Sequence, residues 1–386
     1  MVSVNWNYPT AVRFGPGRIK ELPEACKSLG VKKPFLVTDP GLAKLPMIAS
    51  ALAALKTAGV PATLFASIKP NPVESNIADG LAAYRAGKHD GVVAFGGGSA
   101  LDAGKAIAFM AGQTRPLFDF EDIGDYWTRA DEAGIAPSVA VPTTAGTGSE
   151  VGRTSVIIDE THRKKRLIFH PKVQPRIVIE DPELTVGLPA HITAATGMDA
   201  LAHCLEAYCV DWYHPMADGI ALEGMRLVQH YLPVAVREPQ NIEARGHMMV
   251  AATMGATAFQ KGLGAVHSLS HPLGVFYDQH HGLLNSVMMP YVLAFNRSAI
   301  EAKMLRLARF LDLKTHSTDG VIAWVLELRR TIGLPHTLRE LNIDDKRIDE
   351  VARDAVVDPT APTNPIKLTL EGARQLMLDA LAGNVR

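Results

Sequence analysis

Residues 91–111 read GVVAFGGGSALDAGKAIAFMA. A short apolar run leads into three glycines. A stretch with apolar residues at three- and four-residue spacing follows, so the segment predicts a strand, a tight turn and a helix. The same grammar recurs on either side. PFLVTD (34–39), ATLFASI (62–68) and SVAVPTT (138–144) are brief apolar runs that end in turn residues, and MIASALAALKTAG (47–59) and NIADGLAAYRAG (76–87) carry helical periodicity between them. Strands alternating with helices predict an open, mainly parallel, Rossmann-like α/β sheet. TSVIIDE (154–160) and KKRLIFHP (164–171) flank a polar turn and predict a hairpin, with RIVIED (176–181) as a last strand.

Beyond about Leu184 the strand signals nearly vanish. Residues 189–209, 217–232, 242–260 and 319–333 all read as helices. The chain therefore divides near residues 182–188, into an α/β domain (1–184) and an all-helical domain (185–386). Ligands of open α/β sheets sit at the carboxyl ends of the strands, and sites favour domain interfaces, so the expected active site is a cleft between the halves.

The glycine turn offers chemistry as well as geometry. Gly96, Gly97 and Gly98 let main-chain N–H groups approach phosphate oxygens, and the new helix N-terminus favours negative charge. Ser99 can cap that helix. The triplet matches neither the usual GxGxxG nor a Walker loop, and a tight strand-to-helix turn needs glycine in any case. VPTTAGTGSEVG (141–152) clusters Thr143, Thr144, Thr147 and Ser149 after a strand. Those hydroxyls can bond a ribose, a phosphate or a nicotinamide amide, or simply the local backbone. Asp39 ends a strand, where a carboxylate can accept from a ribose and repel a 2′-phosphate. Standing before Pro40, it is equally a plain helix cap.

In the helical half, GMDALAHCLEAY (197–208) sets Asp199 and His203 one turn apart, beside the apolar residues Met198, Leu201, Leu205 and Tyr208. Such a pair is often a surface hydrogen bond. Four of the chain's 14 histidines, however, crowd into GLGAVHSLSHPLGVFYDQHHG (262–282): His267, His271, His280 and His281. His267 and His271 share a helix face, and the last two follow a turn. One carboxylate with two or three imidazoles suits iron(II) or zinc better than magnesium or calcium.

The chain has 386 residues, 47% hydrophobic and 20% charged, with a formal net charge of -1, an ordinary globular composition. No basic stripe suggests nucleic acid. Three cysteines without CxxC spacing argue against a disulfide framework and for a reducing, cytoplasmic compartment. The N-terminal segment lacks the charged-then-apolar pattern of a leader, and no apolar run is long enough for a membrane span.

Taken together, GGGSALDAGKAIA, PTTAGTGSEV, DPELTVGLPAHITAATGMDALAHCLEAY and KGLGAVHSLSHPLG with HHGLLNSVMMPYV resemble the iron-containing (group III) alcohol dehydrogenases over nearly the whole chain. The resemblance implies the family's two-domain architecture, shared with dehydroquinate synthase. It implies metal ligands at Asp199, His203, His267 and His281, and a further histidine near the nicotinamide at His271. It implies a pyrophosphate loop at Gly97, Gly98 and Ser99 with Asp102 nearby, and cofactor contacts at Thr143, Thr144, Thr147 and Lys165. Asp39 matches the residue tied to NAD preference. The implied reaction is reversible hydride transfer between NAD and an alcohol, primary or secondary and with a hydroxy acid among the candidates; the partner is a small-molecule alcohol or aldehyde. Iron(II) is the favoured metal and zinc the other candidate, His271 relays a proton or orients substrate, and the enzyme is a homodimer or larger homo-oligomer. His280 departs from the family pattern, which often has proline there, and points to the substrate pocket or competes as a ligand. Maleylacetate reductases, which depart at the metal ligands, fit less well. A dehydroquinate synthase-like lyase calls for several basic residues near the metal motifs, where only Lys261 and Arg153 stand. A hydroxyacid–oxoacid transhydrogenase would use those two to hold a carboxylate.

Overall fold

In the computed structural model, which describes residues 10–386, the apolar runs become the strands of one parallel sheet. These are β1 (Ala11–Phe14), β2 (Pro34–Val37), β3 (Thr63–Phe65), β4 (Gly91–Gly96), β5 (Ser138–Pro142) and β8 (Ile177–Glu180). Their order across the sheet is β1-β8-β5-β4-β2-β3, and every pairing in it is parallel. β6 (Thr154–Asp159) and β7 (Lys164–Phe169) form a separate antiparallel hairpin. β2, β4, β5 and β8 are buried throughout, as expected of strands covered on both faces. Alternate residues serve opposite faces. Leu36, Val93, Phe95, Val139 and Val141 pack with α1 (Leu22–Ser28) and α2 (Pro46–Thr57). Phe35, Val37 and Val92 pack with α3 (Glu74–Ala86) and α4 (Gly98–Met110). β1 escaped the sequence reading because AVRF is a mixed, half-exposed edge segment without an apolar run. The reading that the N-terminus lacks a leader falls mostly outside the described residues.

β2 sends the chain to β3 on one side and lies against β4 on the other. This is the strand-order reversal where open α/β sheets bind ligands. Asp39 lies just past β2, and Gly96 ends β4.

The second compact unit takes residues 188–386 together with 145–147. It contains α5 (Ala190–Cys209), α6 (Pro215–Arg237), α7 (Ile242–Ala258), α8 (Ala265–Tyr277), α9 (His281–Phe310), α10 (Thr318–Thr331), α11 (Ile348–Ala355) and α12 (Leu370–Ala382). α5 is buried nearly all round, so its polar residues must find partners inside the protein. Its C-terminal carbonyls receive Lys303, whose Nζ donates to Tyr208 O at 2.9 Å and Val210 O at 2.6 Å. In α9, Pro290 has no N–H for the carbonyl of Ser286. The fully buried Arg329 supplies the donor instead, at 3.0 Å to Ser286 O and 3.2 Å to Val287 O. Cys26, Cys204 and Cys209 are buried and unlinked. Among the described residues no helix is long and apolar enough to cross a membrane.

Candidate metal centre and cofactor loop

α5 is the spine of the helical unit's site. Asp199 and His203 project from one face of it, and Nε2 of His203 lies 3.8 Å from Oδ1 of Asp199. α8 brings Nε2 of His267 to 3.9 Å from the same oxygen, and the start of α9 brings Nε2 of His281 to 3.6 Å. These separations are too long for hydrogen bonds. Donor atoms held about 2.1 Å from a tetrahedral metal lie roughly 3.4 Å apart, so the spacing leaves room for an ion. Ligand atoms of Asp199, His203 and His267 all fall within 4.8 Å of one another, and all three residues are buried. Gly282 makes the approach of α9 possible. A Cβ there would stand 2.3 Å from the carbonyl oxygen of Ala195 and 3.0 Å from Cβ of Asp199.

Two residues that the sequence reading passed over orient this cluster. Glu206 accepts from the backbone N–H of Val266 at 2.8 Å, and its other oxygen takes the Nδ1 hydrogen of His267. That contact fixes the tautomer and turns the Nε2 lone pair toward Asp199. Asn285, one turn into α9, donates from Nδ2 to Asp199 Oδ1 at 2.7 Å. The same nitrogen lies 3.2 Å from His267 Nε2 and 3.1 Å from His281 Nε2. One amide nitrogen carries two hydrogens and here faces three acceptors, while its own carbonyl Oδ1 is buried without a partner among the described residues.

The charges tell the same story. Burial pushes the His203 imidazole down to about 4, so it is a neutral donor at pH 7. Burial also pulls His267 down, but the Glu206 carboxylate beside it, helped by Asp199, outweighs that and the net displacement is upward. Two buried carboxylates and an excess of acceptor atoms therefore draw positive charge into one small volume. A divalent cation fits this donor set.

His271 lies one turn past His267 in α8 and is stacked on the His281 ring at 5.3 Å between centroids. Its Nδ1 bonds to Asp358 Oδ2 at 2.8 Å. Burial pushes the Asp358 carboxyl up, but His271 and Thr360 outweigh it and hold it below the ordinary range. His280 is exposed, and its carbonyl accepts from Leu283 and Leu284 N–H at 3.1 Å, so it begins α9 while its neighbour faces Asp199. Lys261 is 1% exposed and is bonded at 2.5 Å to Asp218. Arg153 belongs to the α/β unit and lies 5.5 Å over the ring of Phe169.

In the α/β unit the glycine turn closes at Gly96, whose φ of 152° is open to glycine; a Cβ there would meet Ala100 Cβ at 2.7 Å. Gly97 precedes the first turn of α4, which opens with Gly98 and Ser99, and Ser99 Oγ accepts from Asn71 N–H at 3.3 Å. The first N–H groups of a helix have no partner within it and suit an anion. Asp102 works within the fold. It accepts from Ser149 Oγ at 2.5 Å and Val156 N–H at 3.0 Å, and lies 3.2 Å from the fully buried Lys105. Lys105 in turn donates to Ser149 O at 2.9 Å. Together they fasten α4 beneath the loop to the turn at Ser149 and to β6. The sequence reading missed Lys105 because a lysine three residues after an aspartate reads as a surface pair. Thr143 N–H donates to Gly96 O at 3.0 Å, and a Cβ at Gly97 would touch Thr144 at 3.2 Å. Thr147 belongs to the helical unit. Asp39 Oδ1 accepts from Gly41 and Leu42 N–H at 2.8 and 2.9 Å, the capping arrangement. Lys165 lies on β7 opposite Ile158.

Residues 9–182 match the family model for iron-containing alcohol dehydrogenase, and residues 193–381 match that for the C-terminal part of the same family. A 4-hydroxybutyrate dehydrogenase of Cupriavidus necator is 39% identical over 380 residues, covering 96% of this chain and 98% of the relative. An NAD-dependent methanol dehydrogenase of Bacillus methanolicus is 34% identical over 387 residues, covering 98% and 100%. Among solved structures, a 1,3-propanediol oxidoreductase superposes with a TM-score of 0.93 at 35% identity, covering 98% of this chain and all of that one.

Proposed function

The chain belongs to the iron-containing alcohol dehydrogenase family, and from that premise we propose how its residues divide the work of an NAD-dependent alcohol dehydrogenase. The observation that carries the reading is the convergence of Asp199, His203 and His267, all buried, with His281 set against the same Asp199 oxygen. These four residues hold a divalent cation, iron(II) before zinc. Such an ion, when bound, supplies Lewis acidity toward an alcohol or carbonyl oxygen. Glu206 keeps His267 in the donor tautomer, and Asn285 steadies the Asp199 carboxylate. His271 exchanges the alcohol proton at Nε2. The first turn of α4, with Gly97, Gly98 and Ser99, takes the pyrophosphate of NAD, and Thr143, Thr144, Thr147 and Lys165 complete the cofactor contacts. Asp39 sets the preference for NAD over NADP.

The substrate class is a small primary alcohol. The three similar proteins described above are named for 4-hydroxybutyrate, methanol and 1,3-propanediol, each of which carries a primary hydroxyl. Lys261 is buried and its charge is already matched by Asp218, which weakens it as a receptor for a substrate acid. That removes one support from the transhydrogenase and lyase readings. A homodimer or larger assembly in a reducing, cytoplasmic setting completes the proposal, the buried and unlinked thiols supporting the setting. The test is a panel of primary alcohols, secondary alcohols and hydroxyacids followed at the NADH absorbance, with metal content measured on the same protein. Steady NADH formation with primary alcohols, in proportion to bound metal, is expected. Turnover only when an oxoacid acceptor is added would overturn the reading.

A further inference from the structure

Resting on the role given above to His271, we propose that Asp358, backed by Thr360, is the positioning residue that sets the tautomer and direction of His271 for proton exchange with the substrate oxygen. The two residues are 87 positions apart, yet Oδ2 of Asp358 lies 2.8 Å from Nδ1 of His271. Their side chains are 8% and 9% exposed. The second carboxylate oxygen is equally engaged, accepting from the Thr360 N–H at 2.9 Å and the Thr360 hydroxyl at 2.6 Å. A carboxylate held by three donors cannot rotate away. Being ionised, it only accepts, so Nδ1 of His271 carries the hydrogen and Nε2 the lone pair.

The surrounding segment is bonded to the start of α8. Thr363 donates its hydroxyl to Leu263 O at 2.7 Å, and Asn364 accepts from the Ala265 N–H at 3.0 Å. Residues 358–364 thus clasp the first turn of α8, the helix that carries both His267 and His271. On the other side the imidazole is stacked against His281 and meets His267 edge-on at 5.9 Å. Among the described residues the ring's hydrogen bond is the one at Nδ1, which leaves Nε2 without a protein partner. The ring is fixed at one nitrogen and available at the other, the arrangement required of a group that moves a proton.

The step balances. The electron pair of the substrate C–H bond leaves with its hydrogen as hydride to the nicotinamide of NAD, and the carbon–oxygen single bond becomes double. The hydroxyl proton passes to Nε2, and the positive charge on the ring is matched by Asp358. The proton then goes to water and restores the neutral imidazole. The alcohol is oxidised, NAD is reduced and one proton is released.

The isosteric Asp358→Asn tests this, with rates measured on iron(II)-loaded enzyme and spectra on the zinc-loaded form. The expected result is a fall in kcat of about 100-fold, with KM changed less than about threefold and metal content unchanged. Nitrogen-15 spectra of histidine-labelled protein should show His271 losing its defined Nδ1–H form, and Asp358→Glu should recover part of the rate. Placed on His271→Ala, Asp358→Asn should slow the enzyme no further. An additional loss of the same size there would mean a general structural role and overturn the proposal. So would an unchanged tautomer with kcat within about twofold of wild type. Full kcat in His271→Ala would remove the underlying reading as well, whereas full kcat in Asp358→Asn alone removes only this inference.

Discussion

In the α/β unit, what is offered to a ligand is main chain: the N–H groups in the first turn of α4, opened by Gly96 and Gly97 and secured from below by Asp102 and Lys105. In the helical unit it is side chains: one carboxylate and three imidazoles from α5, α8 and α9, of which His267 is aimed by Glu206 and Asp199 by Asn285. A main-chain site is built from consecutive residues, so its precision comes from local backbone geometry. A side-chain site is assembled from distant residues, so its precision depends on packing and on the acceptors and donors behind each ligand. Substitutions in the two regions should therefore fail in different ways. Loss at the metal cluster should be steep and should appear in metal content. Loss near the cofactor loop should be graded and should appear in cofactor dependence.

The steepest effects belong to the side-chain ligands. His267→Ala should lose most of its metal and at least about 10³-fold in activity while staying folded. Metal analysis after dialysis, with circular dichroism as the fold control, reads this out; full metal content would break the contrast between the units. The neighbouring pair sharpens it. His281 lies 3.6 Å from Asp199 Oδ1 and His280 is exposed at the helix start. His281→Ala should be metal-poor, while His280→Ala should keep its metal with an altered KM. The reverse pattern would show that the ligand had been assigned to the wrong member of the pair.

The contrast also explains what could be read in advance. The strands, the hairpin and the glycine turn were legible because apolar period and turn residues are local signals. β1 was not, since AVRF has no such period. Asp199 and His203 stood out by their spacing of four. Glu206 lies on the same face of α5, three residues past His203, and the spacing would have found it; a glutamate there reads by default as solvated. Asn285 is one turn past His281 and was discoverable in the same way. Asp358 had no local signal at all, because only the tertiary fold brings it to His271.

An intermediate effect is expected one step back from the metal. Glu206→Gln keeps the size of the side chain but weakens its grip on the Nδ1 hydrogen of His267. Metal affinity should fall about 10–100-fold, measured by competition with a chelator. An affinity equal to wild type would mean that packing alone orients His267. A smaller effect is expected in the α/β unit. On the proposed reading Asp39→Gly removes a carboxylate that would repel a 2′-phosphate, and glycine still serves as a tolerable cap. The ratio of kcat/KM for NAD over NADP should narrow about tenfold with metal content untouched. If wild type already uses both cofactors equally, Asp39 is a cap and nothing more.

The smallest effect is expected at the turn of the β6–β7 hairpin. Burial pushes the Asp159 carboxyl up, but hydrogen bonds from the His162 N–H and ring and from Arg166 outweigh it and hold it down at about 2, against 3.8 unperturbed. Those partners stand at 3.0, 2.7 and 2.7 Å. A depressed folded-state value stabilises the protein above the unfolded-state value and ceases to do so as pH falls through the folded one. The full difference would be about 2.4 kcal/mol by linkage. Because His162 is largely exposed and solvent screens the turn, about 1 kcal/mol is the reasonable expectation. Asp159→Asn should therefore melt lower than wild type at pH 7, and the gap should close between about pH 4 and pH 2, with bound metal per chain at pH 7 unchanged. Comparing the two proteins at each pH cancels the titration of every other carboxylate. A gap that stays constant with pH would mean the residue acts through shape rather than charge, and a loss of metal at pH 7 would show that the two units are not as separate in their failures as their construction implies.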